Sequence, residues 1–147
     1  MPSTEQNPKL QTRVLALDYG RVHTGAAISD PTGTIARPLD DFKNAGTPDG
    51  LKKINSLVAR ESVGLVVVGM PVSLSGGMGG QAHDTAEFVR ALSQKLPVPV
   101  VTRDERFTSK IADHKARFSS ASRHSLAASI LLEEYLGSSE FRRRSES

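Results

Sequence analysis

The chain has 147 residues, with 19 Lys or Arg against 16 Asp or Glu, a formal net charge of +3, and no cysteine. That length predicts one domain able to bury its own core, and the lack of cysteine excludes disulfides, thiol catalysis and Cys-based zinc sites. No apolar run approaches the ~20 residues that span a bilayer, and the opening MPSTEQNPKLQTR lacks the apolar stretch of a secretory signal, so a cytoplasmic protein with no membrane association is expected.

Charge is uneven along the chain. Residues 1–89 carry 8 basic and 9 acidic side chains, whereas residues 90–147 carry 11 and 7. A basic half is compatible with a polyanionic partner, and equally with ordinary surface lysines and arginines.

In chain order, residues 1–11 read as a disordered polar tail. The run Val14–Leu17 is continuous and β-rich, as expected of a strand covered on both faces. Thr24–Ser29 and Ile35–Leu39 read as strands joined by the turn Asp30–Pro31–Thr32–Gly33, completing an antiparallel meander. Thr47–Pro48 opens a helix as N-cap and first residue, with Leu51, Ile54, Leu57 and Val58 as its apolar stripe. Leu65–Val68 is a second buried strand. Ala82, Ala86, Val89, Leu92 and Leu96 mark a second helix ending before Pro97, and Val98–Val101 is a third buried strand. A short helix is expected after Phe107–Thr108, using Ile111, Lys115 and Phe118. The last helix runs from about Ser122 to Leu136 and stops at Gly137. Residues 138–147, with Arg142–Arg143–Arg144, read as a basic polar tail, leaving 12–137 as the domain. The strands before Asp18, Gly69 and Arg103 should lie side by side and parallel, with Thr24–Ser29 antiparallel to the first.

Polar groups therefore collect where buried strands end, the usual place for sites in open α/β sheets. Asp18 ends the first strand and is followed by Gly20, Arg21, His23 and Gly25. The glycines permit close approach of a ligand, and Arg21 and His23 suit phosphate oxygens; the plain alternative is an aspartate closing a hairpin. Asp104–Glu105–Arg106 ends the third buried strand. Alternation sends adjacent side chains to opposite faces, so only one of the two carboxylates belongs to a given site while the strand persists. His124 lies in the first turn of the last helix, above Ala127 and Ala128, whose small side chains let that face approach a sheet. Its helix-end position favours the neutral imidazole, which binds metals; a surface or capping role is the alternative. His83 and His114 read as surface helix residues. The glycine-rich stretch Gly69–Gly80 lacks the Lys-Ser/Thr of a P-loop and reads as a substrate loop or a connector.

Together, LALDYGRVHTGAAISDPTGTIARPL, VVVGMPVSLSGGMGGQA, PVVTRDERFTS and SLAASILLEEYL resemble the YqgF (RuvX) family of the RNase H-like superfamily, described as pre-16S ribosomal RNA nucleases and Holliday junction resolvase-like proteins. The four segments occur in order across about residues 14–136. The resemblance implies an α/β fold with a mixed five-stranded sheet, an antiparallel β1-β2-β3 meander beside parallel β4 and β5, and flanking helices. It makes Asp18 the catalytic first-strand aspartate and sets Asp104–Glu105–Arg106 on the family's DER motif. Where the family usually has an aspartate in the last helix, this chain has His124. Arg21–Val22–His23 replaces the usual Thr-Lys-Arg.

What the resemblance implies is a nuclease using Mg²⁺ or Mn²⁺, with two ions ~4 Å apart activating water and steadying the leaving oxygen. Asp18, Glu105 (or Asp104) and His124 are the implied ligands, and an imidazole in the set makes Mn²⁺ more competitive. Gly20, Arg21, His23, Arg106 and Thr108 are the implied substrate contacts. The expected partner is nucleic acid, either an RNA precursor or branched DNA, handled by a monomer or homodimer. Resolution of branched DNA is the competing activity, and it requires two symmetric sites. A non-catalytic nucleic-acid-binding module is a third reading, motivated by His124. An actin-like phosphotransferase also carries an Asp-x-Gly first strand, but it needs two such domains, and this chain supplies one.

Overall fold

The computed structural model describes residues 13–71, 80–105 and 111–146, with the backbone alone described at Glu105 and at 111–113. Strands β1 (Arg13–Asp18), β2 (His23–Ser29) and β3 (Ala36–Lys43) are followed by α1 (Pro48–Arg60), β4 (Val63–Pro71), α2 (Gly80–Lys95) and β5 (Val100–Glu105). Helices α3 (Ile111–Arg117), α4 (Arg123–Leu136) and α5 (Ser139–Glu146) complete the described chain. The sheet has the order β3-β2-β1-β4-β5. β1 is antiparallel to β2 and parallel to β4, and β4 is parallel to β5. This is the mixed five-stranded sheet expected from the apolar runs and from the RNase H-like resemblance.

Alternation along the strands builds two cores. Leu15, Leu17, Val66 and Val68 face α1 and α2, where Ile54, Phe88 and Leu92 pack on them. Val14, Ala16, Leu65 and Val67 face α4, meeting Ala128, Leu131, Leu132 and Tyr135. Each such Leu or Phe contributes roughly 1.5–3 kcal/mol by leaving water. Both faces are covered, which is why these strands read as unbroken apolar runs.

Several local signals act as expected. Thr47 Oγ1 accepts from Gly50 N at 3.1 Å, capping α1 ahead of Pro48. Ser122 caps α4 by accepting from Ser125 N at 3.0 Å. The β2–β3 turn closes with Gly33 N donating to Asp30 O at 3.0 Å, and Gly33 takes a φ of +73°. Gly137 does end α4, but at φ −86°, so no left-handed cap is involved.

Other features differ from expectation. β3 extends past Leu39 to Lys43, and β5 begins at Val100 and continues through the charged Arg103–Glu105. In both, backbone pairing to a neighbour carries the strand beyond its apolar residues. Ser139–Glu146, read as polar tail, forms α5, whose Phe141 packs on Tyr135 with ring centroids 5.5 Å apart. His114, read as a surface residue, is only 2% exposed. It is tolerated in the interior because Nδ1 meets Ser129 Oγ at 2.9 Å and Nε2 lies 3.3 Å from Glu133. Ser129 Oγ gives its own proton to Leu126 O, so it accepts from His114 Nδ1–H. His83 is exposed as expected, 3.3 Å from Glu87 one turn on.

Candidate active site

Three parallel strands finish together. Leu17 pairs with Val68, and Val68 with Thr102, so Asp18 stands level with Gly69 and Arg103 at one end of the sheet. Val14 and Ala16 belong to the α4 side, and alternation puts Asp18 on that side too. Its antiparallel partner is Gly25. A Cβ on Gly25 would overlap the His124 carbonyl and stand 2.6 Å from Ser125 N. The bare glycine is thus the seat of the first turn of α4, and it brings His124 to the strand end that carries Asp18.

On the other side of Gly25 the ladder is irregular. Thr24 pairs with Phe42 and Ala26 with Leu39, so Asp40 and Asp41 together oppose Gly25 as a β-bulge. Asp41 accepts hydrogen bonds from the hydroxyls of Ser122 and Ser125, the latter at 2.8 Å. Ser125 Oγ also accepts from Ala26 N at 3.1 Å, so a chain of donors runs from the β2 backbone through Ser125 to the Asp41 carboxylate. A carboxylate at a helix N-terminus is favoured by the exposed N–H groups there. Asp41 therefore fastens the helix turn that carries His124. Sequence reading passed over it by ending β3 at Leu39; the signal available was a double aspartate facing a Ser-x-x-Ser helix start.

His23 and His124 stack with ring centroids 6.0 Å apart and planes 21° apart, and His23 Nδ1 lies 3.9 Å from Asp41. The two histidines singled out from sequence are thus together. Arg21 is elsewhere: its guanidinium pairs with Asp84 of α2 at 2.7 Å, and this carboxylate raises its pKa. Gly20 serves its own loop, since a Cβ there would overlap the His23 carbonyl, and its N–H reaches Thr24 Oγ1 at 3.3 Å.

Asp104 is exposed and shares strand parity with Val100, which packs on the α1–α2 side. Val101 packs on the α4 side. Asp104 and Asp18 therefore stand on opposite faces of the sheet. Glu105 is the last residue of β5, paired in register with Pro71. Arg106 and Thr108 lie outside the described residues. Among the described residues no three carboxylate or imidazole groups gather as a ready cation site, and no helix is long and apolar enough to cross a membrane.

Comparison with known proteins places this chain in a wider group. A relative from Rubrobacter xylanophilus, named "Putative pre-16S rRNA nuclease", is 40% identical over 130 residues, covering 84% of this chain and 91% of its own. One of the same name from Thermoanaerobacter pseudethanolicus is 33% identical over 134 residues, covering 86% and 96%. Among solved structures, T. thermophilus RuvC in complex with Holliday junction substrate aligns with a TM-score of 0.49 and 15% identity, covering 86% of this chain and 96% of that one. The sequence profile of the family described as "RuvX: Holliday junction resolvase" matches residues 12–138. With that match running from β1 through α4, the chain belongs to the RuvX family.

Proposed function

We propose that this protein is a divalent-metal-dependent endonuclease of the cytoplasm that hydrolyses phosphodiester bonds in structured nucleic acid, with the end of pre-16S rRNA as its substrate. The observation that carries the reading is the seating of α4 on Gly25, opposite Asp18, in a chain whose relatives are named for that nuclease. Asp18, Glu105 and His124 form the ligand set. Carboxylate oxygens and a neutral imidazole fit Mg²⁺ or Mn²⁺, so the residue types present suit the ion. When bound, divalent ions supply an activated water and charge stabilisation for the leaving oxygen.

The protein's own contribution is placement. Asp18 is held by a strand buried on both faces, and His124 by a helix turn tied down through Ser122, Ser125 and Asp41. Glu105 acts in preference to Asp104, because Asp104 shares strand parity with the opposite face. His23, beside His124, is placed to meet a phosphate oxygen. Arg21, engaged with Asp84, contacts substrate only by leaving that partner.

The family description favours a second reading, resolution of branched DNA. One cleavage assay separates them: structured precursor RNA, single strands and four-way DNA junctions, each with Mg²⁺ and with Mn²⁺. Cleavage confined to the precursor RNA supports the proposal. Cleavage of junctions by a homodimer supports the alternative, and metal-independent binding with no cleavage of any substrate overturns both.

A further inference from the structure

We propose that Asp41 is the positioning residue of this site: one carboxylate that ties the carriers of His23 and His124 together and sets where both imidazoles stand relative to Asp18. The proposal rests on the reading of His124 as a ligand and extends it to the residue that aims that ligand. The two oxygens of Asp41 are divided between the two carriers. Oδ1 accepts from the hydroxyls of Ser122 and Ser125 at the start of α4, the latter at 2.8 Å. Oδ2 is left facing Nδ1 of His23 on β2, 3.9 Å away.

The sheet register explains why a tie is needed here. Asp18 of β1 pairs with Gly25 of β2, and Asp41 stands with Asp40 on the far side of the same glycine. The first turn of α4 sits over Gly25, so it lies between the two aspartates of this row. A glycine makes room for the turn but has no side chain with which to hold it. Holding falls to the flank, where the β3 bulge supplies one residue more than regular pairing would. Bulges re-aim side chains in this way, and here the side chain turned to α4 is Asp41.

The burial of that carboxylate points the same way. Its side chain is only 16% exposed, a costly place for a charge without partners. No Lys or Arg among the described residues forms an ion pair with it; its donors are the two serine hydroxyls. Capping does not account for it, because Ser122 already caps α4 by accepting from Ser125 N at 3.0 Å. What Asp41 adds is a link from that cap to the sheet. Ser125 Oγ, which also accepts from Ala26 N at 3.1 Å, closes the link onto β2. The stacked pair of His23 and His124, with centroids 6.0 Å apart, stands directly beside it. Partners that orient a metal-binding side chain in this manner change affinity for the ion by about 10–100-fold when removed.

The test reads the chain's four histidines directly in the cation-free protein. Their ring resonances are recorded by NMR at a fixed pH of about 8.5, above the ordinary imidazole range, in wild type, Asp41→Ala, Asp41→Asn and Asp30→Ala. Asp30→Ala is the matched control, since it removes a carboxylate of the same hairpin that accepts backbone N–H groups at the other end of β2. His83, exposed on α2, and His114, bonded to Ser129 in the body of α4, report on the rest of the fold. We expect Asp41→Ala to shift the rings of His23 and His124 while His83 and His114 stay in place, and Asp30→Ala to move none of the four. Asp41→Asn keeps an oxygen for the serines, so it should move His23 more than His124. Mn²⁺ affinity measured by calorimetry should fall about tenfold or more in Asp41→Ala and stay at the wild-type value in Asp30→Ala. Unmoved His23 and His124 rings in Asp41→Ala, or wild-type Mn²⁺ affinity in a variant whose rings have moved, overturns the proposal. If all four rings move in Asp41→Ala, the asparagine variant decides: a shift confined to His23 and His124 sustains the proposal, and no shift overturns it. Selective ring shifts in a protein whose wild type binds no Mn²⁺ sustain the positioning and remove the ligand reading of His124 instead.

Discussion

Gly25 stands directly opposite Asp18 in the β1–β2 ladder, and its missing side chain is the space in which the first turn of α4 sits. One residue without a Cβ therefore decides how near His124 comes to the strand end of Asp18. Gly25→Ala should push α4 off the sheet, at a cost of about 1–3 kcal/mol for overpacking. A lower denaturant midpoint together with lost cleavage is the expected pair of readouts. Unchanged stability would mean that the helix turn does not rest on this glycine.

Asp104 shares strand parity with Val100, on the α1–α2 side of the sheet. Asp18→Asn and Glu105→Gln should each lower metal-dependent cleavage at least ~100-fold, equivalent to ~2.7 kcal/mol of barrier. Asp104→Asn should stay within a few-fold of wild type, since its parity puts it on the α1–α2 side. Single-turnover rates of the three variants in Mg²⁺ decide the matter. A large loss in Asp104→Asn with none in Glu105→Gln would reverse the assignment.

His124 stands in the first turn of α4, stacked beside His23. His124→Ala should lose activity, while His124→Asp should keep it and shift preference from Mn²⁺ towards Mg²⁺, as a hard oxygen replaces a borderline nitrogen. Mn²⁺ affinity measured by calorimetry should fall in the alanine variant, which gives a readout independent of turnover. Wild-type affinity and metal preference in His124→Ala would reduce the residue to a helix-end side chain.

Asp30 predicts a pH effect on stability. Partial burial alone would push its carboxyl up, but donors from Thr32, Ile35 and Thr34 outweigh this and hold it at about 2, below the ordinary 3.8. A depressed folded pKa means that the stabilisation is present above the ordinary value and is lost as pH falls towards 2. Because the group is partly open to solvent, screening keeps the effect to about 1 kcal/mol or less. Asp30→Ala should lower Tm at neutral pH, and the gap from wild type should close below about pH 4. A gap that persists undiminished in acid would place the effect elsewhere.

Much of this protein was legible in one dimension. Strands covered on both sides need unbroken apolar runs, so Val14–Leu17 and Leu65–Val68 announced a buried parallel pair. Thr47–Pro48 and Ser122 marked helix starts because caps are local chemistry, complete within four residues. Asp18 and His124 stood out because a polar residue at the end of a buried strand, or above two alanines, is conspicuous in sequence. What the sequence could not decide depended on partners distant along the chain. Asp41 became visible only once the β3 bulge turned it towards Ser122 and Ser125, more than 80 residues away. His114 looked like a surface residue until Ser129 met one of its nitrogens and the Arg117–Glu133 pair the other, and burial of a polar ring is possible only with such partners. The face taken by Asp104, the pairing of Arg21 with Asp84, and the docking of Phe141 that orders the last helix were likewise tertiary decisions. Each depends on sheet register or helix contact, and neither is encoded in a residue's immediate neighbours.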